Sequence, residues 1–370
     1  MICGNTITRP VRRFAFQGLK DWLARILSYP DMESALEAPL YKPSNSSGNS
    51  EWGDIFDAGF IRDLKGCDGK SFWHRDGDEL RLVFSLGVDG FNPFGMKVAK
   101  GTSSVTGIYM ACLNLPADIR YDTDNMYLCG IIPGPKKPSL EQINNFLRPL
   151  VDELLQFWEP GIFFSRTAKY RHGRHVLLVV IPLICDVLGA RQVGGFLSHA
   201  ATLFCSFCYL PADMIENLDM SSWPMRTCEG HRAHAEEWRL ATTSEERERI
   251  AKMYGVRHSE LLRLPYWDPI WFMVLDSMHA FFLRAIPHHV RYIWGLNPAA
   301  PTGDGTHSPT VKPPQRPSSA ELLKGIKTLL SKSPLNANAD SLSQRCSKPV
   351  LWHLCHEFDL RRAGTSVMLT

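Results

Sequence analysis

The sequence of 370 residues lacks the segments that direct a chain into or across a membrane. Its first residues contain no long apolar run of the kind found in secretory signals. The most apolar stretch, HVLLVVIPLICD at 175–186, has a core of about ten residues, too short to cross a bilayer. These absences predict an intracellular protein that neither enters nor binds a membrane.

The sequence also lacks the motifs of several common enzyme classes. It contains no Walker-type phosphate loop, no dinucleotide fingerprint and no G-x-S-x-G elbow. Charge of one sign is not in excess either, since 41 basic and 38 acidic residues give a net charge of +3. This balance does not predict a broadly basic nucleic-acid-binding face, although it leaves a local basic patch open.

The ten cysteines are scattered along a chain without a secretory signal, which indicates reduced thiols rather than a disulfide framework. Hydrophobic residues make up 44% and charged residues 21% of the chain, which is an ordinary globular balance. The length is enough for two or three domains.

The segment 81–186 predicts an α/β domain. Apolar runs predict strands at 81–89, 104–115, 125–134 and 175–185, and the fourth run is apolar on both faces, as in a central strand. Pro182 in this run predicts a bulge or an early end. Between the third and fourth strands, a capping box from Ser139 to Gln142 predicts the start of a helix.

This order of three strands, a helix and a fourth strand is that of a ribonuclease H-like (RNase H-like) core. The connection rules favour parallel pairing of the fourth strand with the first. Asp89 ends the first of these two strands, and Asp186 directly follows the fourth. The two carboxylates are therefore expected at the same edge of the sheet.

Two neighbouring carboxylates repel each other unless a cation lies between them. Mg²⁺ or Mn²⁺ bound by carboxylate and phosphate oxygens meets this need and supports phosphoryl displacement. Asp89 and Asp186 are therefore candidate metal ligands and catalytic residues. The alternative is that both are turn formers after a strand, a common position for aspartate.

A third acid would complete such a site, and the candidate is Asp276. It lies in the apolar block LLRLPYWDPIWFMVLDSMHAFFLRAI at 261–286, where an unpaired charge would be costly. The alternative is an N-cap aspartate for a helix over 277–286. Glu260 and Asp268 are weaker candidates for the same role.

A second cluster contains cysteine and histidine, and its spacing is typical of a structural zinc site. The pair Cys205 and Cys208 has the C-x2-C spacing that chelates Zn²⁺, and distant Cys or His residues can complete the tetrahedron. Two completions are open, Cys228 with His231 or His231 with His234. The alternative is a pair of small buried thiols beside solvated histidines.

The rest of the chain divides by composition. An amphipathic helix is predicted over 16–29, ended by Pro30, and capping boxes predict helices at Thr243 and Ser318. Six regions result: a helical or irregular N-terminal region (1–80), the RNase H-like core (81–186), a mostly helical Cys/His-rich insertion (187–260), the remainder of the core (261–296), a disordered proline-rich linker (297–317) and a C-terminal fragment (318–370).

Several segments, in this order, resemble the transposase of CACTA (En/Spm-type) DNA transposons in its fungal version. The segments are FSLGVDGFNPFG, CLNLPADIRY, GIIPGPKKPSLEQINNFLRPLVDELL, PLICDVLGARQVGGFLSHAATLFCSFC and LRLPYWDPIWFMVLDSMHAFFLRAI. The resemblance covers residues 12–296, with a weaker echo at 351–360. The chain resembles a partial or degenerate copy.

The resemblance implies a DDE/D nuclease that cuts transposon ends and joins them to target DNA with Mg²⁺ or Mn²⁺. It implies DNA as partner, a nuclear location and, as an open point, self-association. Plant-type relatives have a glutamate shortly after the D-x-M-H histidine, where this chain has Phe281 and Phe282. The alternative function is a catalytically inactive, transposase-derived DNA- or protein-binding module stabilised by zinc. The family's positions fall on Asp89 and Asp186 as first and second acids, on Cys205, Cys208 and His231, and on Asp276 and His279 of the D-x-M-H motif.

Overall fold

A computed structural model of the chain describes residues 13–38, 53–74, 77–91, 105–134, 137–296, 315–330 and 347–357. The chain forms two compact units, Met1–Arg284 and Ala285–Thr370. Most of the predicted proline-rich linker, 297–314, lies outside the described residues. Among the described residues, no helix combines the length and the apolar character needed to cross a bilayer.

The first unit is built on one mixed sheet of seven strands, which confirms the α/β class. The strands follow the order β1-β4-β3-β2-β6-β5, and β7 also pairs with β6. Their bounds are β1 Ala15–Phe16, β2 Leu80–Phe91, β3 Val105–Cys112, β4 Met126–Ile132, β5 Ile162–Phe164, β6 Arg174–Cys185 and β7 Met273–Leu275.

The two longest strands lie side by side at the centre of the sheet. β2 pairs antiparallel with β3 and parallel with β6, which confirms the parallel pairing expected from the connection rules. Both are apolar along most of their length and buried on both faces, as central strands must be. The predicted bulge is present, because the β2–β6 register shifts between Phe84 and Leu86, opposite Pro182.

The helices at 19–26, 143–158 and 187–194 pack against this sheet. Residues 139–142 form the predicted capping box: the Ser139 N–H donates to Gln142 Oε1 at 2.9 Å and the Gln142 N–H to Ser139 Oγ at 3.2 Å. The helices are α1 Leu19–Ile26, α2 Pro30–Glu37, α3 Gly59–Arg62, α4 Ile143–Trp158, α5 Val187–Gly194, α6 Cys228–Leu240 and α7 Ser244–Tyr254. Short 3₁₀ turns occur at Ile55–Asp57, Thr123–Asn125, Ala212–Met214, Met220–Ser222 and Glu260–Arg263.

Pro30 has a different role from the one predicted. The first helix ends at Ile26, before the proline, and Pro30 is the first residue of α2. A proline is well accommodated there, because the first turn of a helix leaves its backbone N–H groups without intrahelical acceptors. The predicted helix over 16–29 is therefore shorter, although its apolar face is buried as expected, at Leu19, Trp22, Leu23 and Ile26.

After β7 the chain continues as a π-helix over Met278–Ala285, α8 over Ile286–His288 and a π-helical turn over His289–Ile293. The second unit also contains α9 Ser319–Leu330 and α10 Lys348–Glu357. The capping box predicted at Ser318 is formed, because the Glu321 N–H donates to Ser318 Oγ and the Ser318 N–H donates to Glu321 Oε2.

A buried ion cluster ties α2 to the start of β6. Arg174 Nη1 lies 3.1 Å from Glu33 Oε1 and 2.6 Å from Glu37 Oε1, and the Arg174 and Glu33 side chains are fully buried. Lys169 also contacts Glu37, at 2.5 Å. Burial would raise the pKa of Glu37, but the hydrogen bonds from Lys169 and Arg174 outweigh it and lower the pKa. Both glutamates therefore share one guanidinium, and Lys169 adds a second cationic contact to Glu37.

Replacing Arg174 by leucine should destabilise the protein by about 3–5 kcal/mol, because two buried carboxylates would lose the guanidinium that they share. The free energy of unfolding in urea measures this loss. The matched control is Arg166→Leu, at an exposed arginine of the segment that precedes β6, which should change the free energy of unfolding by less than about 0.5 kcal/mol. Equal unfolding curves for the two variants would contradict the buried cluster.

Candidate functional site

The parallel strands β2, β6 and β7 bring three aspartates to one end of the sheet. Leu86 of β2 pairs with Leu183 of β6, so that Asp89 and Asp186 each follow a paired residue by three positions. On the other side of β6, Cys185 pairs with Leu275, the last residue of β7. Asp276 follows directly, and its N–H donates to the Cys185 carbonyl at 3.0 Å.

Asp89 does not end its strand, in contrast to the interpretation from the sequence. β2 continues to Phe91, and Asp89 is paired there with Gly107 of β3. The pairing with β3 holds the strand extended across the glycine that was expected to break it. Asp89 Oδ1 accepts a hydrogen bond from the Gly90 N–H at 2.7 Å.

Asp186 lies between a strand and a helix and is the N-cap of α5. Its Oδ1 accepts a hydrogen bond from the Gly189 N–H at 2.5 Å, as N-cap aspartates do. The positive end of the helix dipole also favours a carboxylate at this position. The capping role and a role in a functional site are thus compatible, because the cap uses Oδ1 and a carboxylate has a second oxygen.

Asp276 occupies the junction between β7 and the π-helix. Its Oδ1 accepts from the Met278 N–H at 2.9 Å, and its Oδ2 lies 2.5 Å from His279 Nδ1. Burial would raise the pKa of Asp276, but the hydrogen bonds from His279 and Met278 lower it. Asp276 therefore binds a backbone N–H at the start of the π-helix, as the helix-capping alternative predicts. It also lies at the same end of the sheet as Asp89 and Asp186.

The pKa of His279 is affected by all three aspartates. Its hydrogen bond to Asp276 raises the pKa of the imidazole, and burial opposes this rise. The charges of Asp89 and Asp186 raise the pKa of His279 further. His279, in the π-helix, is therefore close enough to Asp89, Asp186 and Asp276 for their charges to affect its pKa.

The thiol of Cys185 lies in the same location. Its Sγ accepts a hydrogen bond from the Val88 N–H at 3.3 Å, which links β6 to β2 just before Asp89. Burial raises the pKa of this thiol to about 12, and the three aspartate charges contribute to the rise. Cys185 is therefore a neutral, structural thiol beneath the acids.

Asp89, Asp186 and Asp276 are called the acid cluster below. Their carboxylate oxygens suit a hard divalent cation, since such oxygens are the ligands that Mg²⁺ and Mn²⁺ prefer. Within the described part of the chain, however, no group of three or more His, Cys, Asp or Glu side chains is arranged to hold a metal ion. One oxygen of each aspartate is bound to a nearby backbone N–H. The metal role of Asp89 and Asp186 stays a prediction.

The cysteine pair forms a turn in which the sulfur atom of Cys205 accepts a backbone hydrogen bond. The Phe207 N–H donates to Cys205 Sγ at 3.4 Å. Burial raises the pKa of the Cys208 thiol, and a hydrogen bond from the Leu210 N–H opposes this rise. Arg226 Nε donates to the carbonyl groups of Cys205 and Cys208, at 2.9 and 3.2 Å. Such a turn suits two thiolate ligands of one zinc ion.

His231 is fully buried in α6, with its ring centroid 4.6 Å from that of Phe196. Burial lowers its pKa to about 3, helped by the charges of Arg226 and Arg232. Neither ring nitrogen has a hydrogen-bond partner among the described residues. A neutral imidazole with unused nitrogen atoms suits a metal ligand, because buried polar groups rarely lack partners.

Cys228 and His234 lie against other groups. Cys228 Sγ is 4.0 Å from the Trp267 carbonyl, and burial raises the pKa of its thiol. The His234 ring stacks on Tyr254 with 3.5 Å between the centroids, and its Nδ1 lies 3.9 Å from Glu237. The two proposed completions of the zinc site stay predictions.

Sequence reasoning missed Tyr109 and Cys185, which lie beside the acids. The pKa of Tyr109 is raised by burial and by the charges of Asp89 and Asp276. A signal was present, because Asp89 pairs with Gly107 and alternation then puts Tyr109 on the face that carries Asp89. This signal can be used only when the pairing register of β2 with β3 is known, and the register comes from the folded sheet.

Comparison with known protein families gives a match to part of the chain. Residues 65–236 match the family model described as transposase family tnp2. The matched segment is somewhat less than half of the chain; it contains Asp89, Asp186 and the Cys/His residues, and it ends before Asp276. No curated protein matches the chain. The family match thus supports a relationship to transposases, carried by the segment with the first two aspartates.

Proposed function

We propose that this chain is the catalytic domain of a DDE/D-type transposase of the CACTA (En/Spm) kind, in its fungal version. It cuts DNA strands at transposon ends and joins them to target DNA with Mg²⁺ or Mn²⁺. The observation that carries the proposal is the side-by-side order of β2, β6 and β7, with an aspartate at the same end of each strand. The family match supports it, and a DNA substrate implies a nuclear location.

The proposed fold of this centre is RNase H-like. Three consecutive antiparallel strands, a crossover helix and a parallel return strand are present as β2, β3, β4, α4 and β6, with β5 inserted before the return. β7 then adds a further parallel strand on β6. This order supports Asp89 and Asp186 as the first and second acids and Asp276 as the third.

The residues that would hold the divalent ion are Asp89 and Asp186, with Asp276 as a further ligand. Such an ion, when bound, supplies Lewis-acid activation of water and of a DNA 3′-hydroxyl and stabilises the charge on the phosphate. The overall cleavage adds water across a P–O bond and leaves a 3′-hydroxyl and a 5′-phosphate. The 3′-hydroxyl then attacks a phosphodiester of the target, so that one P–O bond forms, another breaks, and the target strand leaves with its own 3′-hydroxyl. The protein contributes position: each aspartate is fixed by a backbone N–H, and His279 offsets the charge of Asp276.

The Cys/His-rich insertion is proposed to hold a structural Zn²⁺. The sulfur atom of Cys205 accepts an N–H hydrogen bond, Cys208 is buried, and His231 is buried with both nitrogen atoms unused among the described residues. A site whose four positions are filled by protein ligands is structural rather than catalytic. The fourth ligand is Cys228 or His234.

A second candidate function is a catalytically inactive DNA- or protein-binding module derived from a transposase and stabilised by this zinc. The replacement of an acid by Phe281 and Phe282 after the D-x-M-H motif favours this alternative. Both side chains are more than half exposed, at 57% and 65%, and bring no ligand oxygen to the acid cluster. The two functions differ in one measurable property, metal-dependent cleavage.

The purified protein should nick supercoiled plasmid DNA in Mn²⁺ or Mg²⁺, and Asp89→Asn or Asp186→Asn should lower the rate by about 100-fold or more, since a metal ligand is lost. Gel separation of nicked from supercoiled plasmid measures the rate without knowledge of the transposon ends. The matched control is Asp118→Asn, at an exposed aspartate outside the strands, which should leave the rate unchanged.

Cleavage by Asp89→Asn at the wild-type rate would refute the proposed acid site. A wild-type protein that binds DNA without cutting it under either metal would instead support the inactive binding module. Together the two readouts separate the candidate functions.

The purified protein should contain about one equivalent of zinc, which the double variant Cys205→Ser/Cys208→Ser should lose, because two thiolate ligands are removed. Elemental analysis after gel filtration measures the ratio of metal to protein. Cys67→Ser is the matched control, since Cys67 is exposed and remote in sequence from the pair. Zinc retained by the double variant, or absent from the wild type, would contradict the zinc site.

A further inference from the structure

The ring of Tyr109 reaches from β3 across β2. Tyr109 is paired with Gly87 in the antiparallel register. A Cβ atom at residue 87 would lie 2.3 Å from Tyr109 Cε2 and 2.6 Å from Cζ, so the hydroxyl end of the ring covers the glycine. Glycine is the residue that permits this approach, because any side chain there would occupy the position of the ring.

The ring of Tyr109 crosses β2 on the face of the sheet that carries Asp89. The near end of the ring lies by Gly107 of β3, where a Cβ atom would be 3.8 Å from Tyr109 Cδ1. The far end lies over Gly87, and the next residue of β2, Val88, is bound to Cys185 of β6. The ring therefore extends from β3 across β2 toward β6, two residues before Asp89. Tyr109 is half-buried, so that its outer side faces solvent.

The surroundings keep the phenol protonated. Burial raises its pKa, and the charges of Asp89 and Asp276 raise it further. These aspartates belong to β2 and to the residue after β7, which agrees with a ring that extends across β2. No described residue accepts a hydrogen bond from the hydroxyl, which makes it an available donor among acids.

We propose that Tyr109 contacts the DNA substrate, with its hydroxyl donating a hydrogen bond to a phosphate oxygen of the strand held at Asp89, Asp186 and Asp276. This inference rests on the proposed transposase function. Phosphate oxygens are strong acceptors for such a donor. A lysine or arginine at this position would form ion pairs with the aspartates, whereas a neutral phenol remains free for the substrate.

The test compares Tyr109→Phe with the wild type in DNA binding, measured by fluorescence anisotropy of a labelled duplex in Ca²⁺. Phenylalanine keeps the ring over Gly87 and removes only the hydroxyl. We expect binding about tenfold weaker, the effect of losing one hydrogen bond to a charged group. The dependence of binding on salt should keep its slope, because no cationic contact is lost. The matched control is Tyr121→Phe, at an exposed tyrosine of a loop, which should bind like the wild type.

A second variant tests the geometry. Gly87→Ala should displace the ring and weaken DNA binding to a similar extent, and the double variant Gly87→Ala/Tyr109→Phe should bind no more weakly than either single variant. If the losses of DNA-binding free energy in the two single variants add up in the double variant, the two substitutions do not act through the same contact. Thermal unfolding of each variant separates loss of fold from loss of contact.

The outcomes also separate this inference from the function on which it rests. DNA binding by Tyr109→Phe equal to that of the wild type overturns the role of Tyr109, whether or not the protein cuts DNA. Failure of the wild type to cut DNA overturns the transposase proposal alone, and the binding comparison still decides the role of Tyr109. A wild type that does not bind DNA overturns both.

Discussion

The parallel pairing of β2 with β6 is the constraint on which the rest of this structure depends. Two strands can lie parallel only if the chain crosses back between them, and here β3, β4, α4 and β5 form the return. Both strands are buried on both faces, which fixes their neighbours and leaves their ends as the place for polar groups. β7 repeats the arrangement on the other side of β6. Three acids far apart in sequence are thereby brought to one edge.

This arrangement carries an electrostatic cost, because like charges at short range disfavour one another. The structure meets part of the cost locally: Asp89, Asp186 and Asp276 each accept a hydrogen bond from a backbone N–H. Asp186 gains further from the start of α5, and Asp276 from the imidazole of His279. These contacts also fix the orientation of each carboxylate. Orientation of this kind is what a catalytic or metal-binding site requires of its ligands.

The long elements were predictable from the sequence, because apolar period and capping residues act locally. The strands near 81 and 175, the helix after Ser139 and the helices at Thr243 and Ser318 are all present. β1, β5 and β7 were not predicted, since two or three residues show no period and pair only through distant partners. The same reason hid the extension of β2 beyond Asp89.

The site residues on long strands were predictable from the sequence, and those that depend on short strands or on the pairing register were not. Asp89 and Asp186 could be paired because two long strands carry them, whereas Asp276 depends on a strand of three residues, Met273–Leu275, whose place is set by β6. Tyr109 and Cys185 require the register itself, because their neighbours across the sheet, Gly87 and Val88, determine what they contact.

The helix α5 connects the acid cluster to the Cys/His-rich insertion. Its first turn is capped by Asp186, and its far end is held by residues that return from the insertion. The Arg257 N–H donates to the Gly195 carbonyl at 2.7 Å, where Gly195 has a φ of +81° that favours glycine, and Ser259 Oγ donates to the Val193 carbonyl at 2.6 Å. The insertion thus closes on the helix that orients the second acid. A zinc ion in the insertion would then stabilise the acid site by holding α5 in place, although it would not touch the substrate.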